Sequence, residues 1–259
     1  MNYLVEIDKL SDYISEINKL HYDKKSQHGD LWFRGLNDKS LDLQPGITWR
    51  GVGERDENSM VAEFLNNSSS LSHETSESSW QQYALMQHYG LPTRLLDWTK
   101  SPLVALYFAL CSDTKKDRMI WCIEPFQLNI LAYKANTIFT PDSMDEDDGV
   151  DMVSYLPTHL RENKSRAVPM SPIAIEPPFS NKRILAQQGC FTVHGNNNES
   201  INSLYDNKKP GDIYRFLIKE NNTELLRDEL FEIGIKEDTI FPDLSSLSER
   251  IIREFCEET

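Results

Sequence analysis

Apolar residues recur at helical spacing near the start of the chain, where Ile7, Leu10, Tyr13, Ile14, Ile17 and Leu20 predict an amphipathic helix. The next run has a different character. Asp30-Leu31-Trp32-Phe33-Arg34-Gly35 is short, apolar and closed by glycine, which predicts a buried strand ending at a special turn. Residues 66–79 (NNSSSLSHETSESS) lack an apolar period and predict a loop or a helix break. Trp80 to His88 is helical again, and Tyr89-Gly90-Leu91-Pro92 stops that helix. Thr93 to Thr99 reads as a strand. Ser101 is expected to cap, and Pro102 to open, the apolar helix Leu103 to Cys111.

Met119 to Ile123 is the next expected strand, and Pro169 to Pro178 is a proline-broken approach to another element. Arg183 to Val193 then reads as strand, turn and strand around Gly189, and Tyr214 to Ile218 as a further strand. Leu225 to Ile233 and Leu247 to Phe255 are the closing helices. No repeat or change of composition divides the chain. The pattern therefore predicts one α+β domain over residues 1–259, with a helical segment at 1–29, a core at 30–247 and a C-terminal helix at 247–257.

Composition narrows the class of protein. With 39% hydrophobic and 26% charged residues, the collagen-like and wholly disordered classes are excluded. Forty-one acids against 27 bases give a net charge of −14, a field that opposes broad contact with a nucleic-acid backbone and leaves nucleic acid only as a substrate. No apolar run approaches a membrane span, and MNYLVEIDKLSDYI does not resemble an export leader, so a cytoplasmic location is expected. Cys111, Cys122, Cys190 and Cys256 show neither CxxC pairing nor a nearby histidine, and are expected to be buried, inert thiols. Asp142, Asp145, Glu146, Asp147, Asp148 and Asp151 lack the spacing of a calcium loop and predict a solvated acidic loop.

Several polar residues stand in apolar surroundings. Arg34 needs either a core acid such as Asp97 or an anionic ligand, for which its planar fork suits a pyrophosphate. Gly35 is either a turn glycine or a place where a flat group approaches the backbone. His88, followed by Tyr89, is a helix-end cation or an acid/base group. Asp97, between Leu96 and Trp98, needs a partner or a task. Arg94 is not that partner, since residues three apart in a strand face opposite sides. Trp98 is core or a stacking platform, and Gln187 and Gln188 are either a polar turn or amides aimed at a ligand. Arg34, His88, Asp97 and Gln188 are expected to converge on one cleft.

Taken together, these segments resemble the FRG domain, a bacterial and phage-borne family named for its Phe-Arg-Gly motif. The resemblance rests on Trp32-Phe33-Arg34-Gly35, on Gln87-His88-Tyr89-Gly90-Leu91-Pro92-Thr93-Arg94-Leu95-Leu96-Asp97-Trp98-Thr99 with the helix after Ser101-Pro102, and on Arg183-Ile184 with Gln187-Gln188-Gly189. Phe241-Pro242-Asp243-Leu244 is similar to the family's closing signature, so the likeness runs from about Leu31 to Leu247. It implies a toxin or phage-defence setting, with an antitoxin or another basic protein as partner.

The layout of Arg34-Gly35 ending the first strand, the Thr93 to Ala109 strand and helix, and the late Arg183 to Val193 stretch also resembles ADP-ribosyltransferases of the Arg-Ser-Glu type. That resemblance implies a split central β-sheet flanked by helices, and a reaction in which NAD is cleaved and ADP-ribose passes to a macromolecule or to water. Beside that resemblance, the reading of the residues themselves offers Asp97, His88 and Gln188 as the catalytic candidates. Arg34, Gly35, Tyr89, Thr93, Arg94, Trp98, Thr99, Ser101, Arg183 and Gln187 become candidates for holding NAD, with no metal. There is one departure. The group's glutamate precedes the apolar pair of a late strand, whereas Ile184-Leu185 here follow Lys182 and Arg183. The alternative is a non-catalytic module that senses a nucleotide or a phage component.

Overall fold

A computed structural model of the chain describes residues 2–24, 30–71, 78–112, 114–141, 150–161, 167–177, 181–208 and 212–256. Its strands are β1 (Asn2–Glu6), β2 (Trp32–Leu36), β3 (Leu95–Thr99), β4 (Arg118–Ile123), β5 (Ile173–Ile175), β6 (Gly189–Val193) and β7 (Ile213–Ile218). The helices are α1 (Leu10–Lys24), α2 (Gly46–Trp49), α3 (Glu54–Leu71), α4 (Ser79–His88), α5 (Pro102–Leu110), α6 (Pro125–Tyr133), α7 (Lys182–Gln187), α8 (Ile201–Lys208), α9 (Thr223–Glu232), α10 (Glu237–Ile240) and α11 (Leu244–Cys256). No described helix is long and apolar enough to cross a membrane.

The strands form one mixed sheet in the order β1-β7-β4-β2-β3-β6-β5, parallel only between β1 and β7. It is a single sheet, not two, but it is pinched. β2 and β3 share one paired position, Phe33 with Thr99, whereas β2 and β4 pair from Trp32–Ile123 to Leu36–Met119. At this pinch the main-chain oxygen of Asp97 is bonded by the Arg34 side chain and not by a strand neighbour.

Strand alternation sends Phe33, Ile120 and Phe216 to one face, where they pack with Leu106 and Leu110 of α5, Tyr13 of α1 and Leu226 of α9. Trp32, Trp121 and Ile213 go to the other face, against Leu128 of α6 and Leu204 of α8. A third cluster, including Val61, Tyr83, Leu95 and Val193, joins α3 and α4 to the far side of the sheet. The sequence PLVALYFAL of α5 is apolar all round because this helix is buried nearly all round. Its start follows the expected cap, with Ser101 Oγ accepting from Val104 N–H at 3.4 Å and Pro102 opening the helix.

Gly35 is explained by α5. A Cβ on Gly35 would lie 1.8 Å from the Ala105 carbonyl oxygen and 2.7 Å from Ala109 N, so strand and helix backbones meet where a side chain has no room. Ala105 and Ala109, one turn apart, are the small residues that permit this approach.

Several expectations are corrected. The first residues are not helical, because Asn2–Glu6 form β1 beside β7. Residues 66–71 continue α3; the rest of the expected loop up to residue 77 lies outside the described residues. Arg183 to Gln187 is the helix α7 and not a strand. Asn181 Oδ1 accepts from Ile184 N–H at 2.8 Å to start it, and Gln188 ends it in the left-handed region at φ 46°. Cys122 and Cys190 are buried as expected, but Cys111 and Cys256 are exposed. Of the six acids between Lys134 and Arg161, only Asp151 is described, where it accepts a hydrogen bond from the Ser154 hydroxyl.

Candidate functional site

A cleft of about 350 Å³ opens beside the pinch between β2 and β3. Phe33, Trp98, Phe108 and Phe191 supply apolar walls, and Arg34, His88, Asp97, Arg183 and Gln187 bring polar groups to it. Five separate segments therefore meet at one opening. Asp97 is the only carboxylate on the lining among the described residues.

Arg34 reaches across the pinch. Its Nη1 donates to the main-chain oxygen of Asp97 at 2.5 Å and lies 3.9 Å from Asp97 Oδ2. A bond that the sheet would otherwise make between strands is thus made by a guanidinium. Arg34 Nε is buried and has no hydrogen-bond partner. Burial lowers the proton affinity of Arg34, and the Asp97 carboxylate offsets part of this, which keeps a cation at the mouth of the cleft.

Asp97 is positioned from its other side. Gln87 Nε2 donates to Asp97 Oδ2 at 2.9 Å, while the Thr93 hydroxyl donates to Gln87 Oε1 at 2.5 Å. The hydroxyl fixes which end of the amide faces the carboxylate. Oδ1 takes no hydrogen bond from the described residues, and the side chain is 56% exposed. A hydroxyl, an amide, a carboxylate and a guanidinium form one line, and its outer members face the opening. Gln87 was not singled out by sequence reasoning; the signal was a polar residue at the end of a helix with a buried side, α4.

The opposite wall is α7. Arg183 and Gln187 lie four residues apart and share a face of that helix, and both line the cleft. Arg183 sits 4.8 Å over the Phe241 ring, and Gln187 Nε2 donates to Ile240 O at 3.3 Å, so the Phe241-Pro242 turn braces this wall. Gly189 and Cys190 continue the lining into β6.

Other candidates lie elsewhere. Gln188 is not on the cleft lining. Its carbonyl accepts from Lys100 N–H at 3.0 Å, and its backbone ends α7. Arg94 is buried and committed to structure: Nε and Nη2 reach both carboxylate oxygens of buried Glu57 at 2.6–2.9 Å, and Nη1 donates to Asn196 Oδ1 at 2.9 Å. Tyr83 completes this knot, donating to Glu57 Oε1 at 2.8 Å and accepting from Arg94 N–H at 2.7 Å. Tyr89 is exposed and faces an apolar groove beside Phe64 and Leu71 of α3. Thr93 is buried and acts through Gln87. Ser101 is the cap of α5. Trp98 lines the cleft but is 3% exposed, its Nε1 bonded to the Thr192 hydroxyl, so it is wall more than platform. Thr99 lines the cleft, while its hydroxyl donates to Gln187 O at 2.6 Å and ties β3 to α7. Gly35 lines it too, though its missing side chain serves α5.

His194 was missed as well. It is buried just after β6, its Nε2 lacks a partner, and burial, with the Arg34 charge adding, pushes its pKa down to about 3. It is therefore neutral near Arg34. Among the described residues no group of three His, Cys, Asp or Glu side chains is placed to hold a metal ion.

No curated protein and no solved structure matches this chain. The segment that carries β2, α4, β3 and the start-to-end of α5, residues 29–118, matches the family model of the FRG domain; α7, β6 and the Phe241-Pro242 turn lie beyond the matched span.

Proposed function

We propose that the cleft binds a nicotinamide dinucleotide, NAD, and cleaves it, passing ADP-ribose to a macromolecule or to water. The observation that carries this reading is the Arg34–Asp97 arrangement: a cation with a free, buried Nε and a half-exposed carboxylate at one opening, beside an apolar hollow. Breaking the bond between ribose and nicotinamide develops positive charge on the sugar, and a fixed carboxylate stabilises it. Arg34, a quarter exposed at the opening, suits the pyrophosphate through the accessible N–H groups at the end of its guanidinium. The Gln187 amide and the aromatic walls suit the nicotinamide. The nucleophile then adds to the ribose carbon and gives up its proton, for which His88 at the rim is the candidate acceptor.

A second reading is a module that binds the same ligand without chemistry. It is favoured by the α7 wall, which presents Arg183 and no acid, so that Asp97 alone supplies negative charge. Incubating the protein with NAD labelled in its adenosine half, with and without bacterial lysate, separates the two. Free labelled ADP-ribose or labelled macromolecules support cleavage; intact bound NAD supports the sensing module; no binding retires both. The toxin or phage-defence setting and a basic partner for the surface of net charge −14 belong to the same proposal.

A further inference from the structure

Arg34, Gln87 and Asp97 also line a second hollow, of about 200 Å³, on the side of α2. Its outer wall is Trp49, with the Arg50 guanidinium 4.5 Å from the centre of its ring. The chain has five tryptophans. Trp32, Trp80, Trp98 and Trp121 are all at most 7% exposed, whereas Trp49 is 63% exposed. A large apolar ring left in water, beside an exposed arginine and facing a hollow, is the composition of a stacking site for a flat heteroaromatic group that carries negative charge. The platform is held firmly, because Ile47 of α2 is buried and its N–H donates to Thr93 O at 3.2 Å. Gln44 adds an amide to the same wall.

We propose that this hollow is a nucleoside subsite that takes a purine base against Trp49, with its phosphate towards Arg34 and Arg50. The inference rests on the dinucleotide reading and deepens it. Arg34 stands on both linings, so a ligand with a base at each end and a pyrophosphate between them spans the two hollows, and a nicotinamide mononucleotide fills only the first. A long nucleic-acid strand is disfavoured by the net charge of −14.

Trp49 makes the test direct, since it is the one tryptophan open to a quencher. Acrylamide quenching of wild-type fluorescence is measured with AMP, ADP-ribose, nicotinamide mononucleotide and NAD, and affinities for the same four are measured by calorimetry for wild type, Trp49→Ala, Trp49→Phe and Arg50→Gln. AMP and ADP-ribose are expected to shield the fluorescence, and the mononucleotide is not. Trp49→Ala should weaken ADP-ribose by about tenfold or more and leave the mononucleotide unchanged, and Trp49→Phe should recover part of the loss. Quenching that is unchanged with ADP-ribose bound, or equal affinity in Trp49→Ala, overturns the subsite. So does a failure of every adenosine compound to bind. AMP binding that depends on Trp49, in a protein that ignores NAD, instead keeps the subsite and retires the dinucleotide reading.

Discussion

Arg34 and Asp97 are joined across the one place where the sheet is barely paired: Nη1 of Arg34 bonds to the main-chain oxygen of Asp97 at 2.5 Å, and the same nitrogen is 3.9 Å from the carboxylate. The contact holds β2 to β3 and at the same time places both charges at the cleft. Arg34 therefore has a structural task and a free Nε.

Gln87 lines the cleft, and its effect on turnover is expected to run through Asp97. Gln87→Met removes the donor to Asp97 Oδ2 and keeps the side-chain length. A hydrogen bond to a charged group is worth about 1.5–3 kcal/mol. Nicotinamide release should slow by about tenfold or more, with NAD affinity nearly unchanged. Equal losses in affinity and turnover would show that Gln87 only shapes the cleft.

Arg94 and Glu57 form a structural pair, so their substitution should read out in stability. Glu57→Gln leaves the Arg94 guanidinium buried without its counter-charge. Breaking a buried pair from one side costs about 3–5 kcal/mol. Urea unfolding should show a loss of that size. A loss below about 1 kcal/mol would mean that water or Asn196 compensates.

Gly35→Ala should be costly for a steric reason. The new methyl would press on the backbone of α5 at Ala105 and Ala109, and overpacking typically costs about 1–3 kcal/mol. Because Phe108 of α5 lines the cleft, NAD affinity should fall with stability. A variant of wild-type stability would contradict the close approach of strand and helix.

His194 gives the protein an acid-sensitive limb. Folded, it stays neutral down to about pH 3, whereas unfolded it takes a proton near its ordinary 6.5. Between those values the unfolded chain binds more protons, so stability is full above about pH 6.5 and falls as the pH drops, by at most about 1.4 kcal/mol per unit. His194→Asn should flatten the slope between pH 6.5 and 5, where Asp38, Asp117, Glu237, Asp243 and Glu254, all held below their usual range, have yet to titrate. An unchanged slope in that window would place the titrating group elsewhere.

Much of the centre of the sheet was legible because it is encoded locally. β2, β3, β4 and β7 are short apolar runs, and Ser101-Pro102 is a strong helix start. Arg183–Gln187 was misread because a six-residue helix with no buried residue has no apolar period to show; its Asn181 cap and its Lys, Arg, Leu, Ala and Gln content were the available signals. β1 was hidden because its pairing with β7 spans almost the whole chain. The grouping of Arg34, His88 and Asp97 followed from polar residues in apolar surroundings, but Arg94 met the same criterion and belongs to Glu57. Sequence marks a buried charge; only the fold says whether its partner is protein or ligand. Gln87 and Trp49 were overlooked for the converse reason, since an amide at a helix end and an aromatic in a four-residue helix look ordinary until the fold puts them beside Asp97.

The central claim is that Arg34 holds the dinucleotide and Asp97 drives its cleavage. The most direct measurement is the rate of nicotinamide release from NAD by wild type, Arg34→Ala and Asp97→Asn, with affinity measured alongside. Wild type should release nicotinamide, and Arg34→Ala, shown to be folded because its contact to Asp97 O is also lost, should chiefly lose affinity, since a charged contact to the pyrophosphate is gone. Asp97→Asn should bind NAD normally and release nicotinamide about a hundred- to a thousand-fold more slowly, the usual cost of one well-placed electrostatic group. A folded wild-type protein that binds NAD and releases nothing, or a folded Asp97→Asn variant with full activity, would contradict the account.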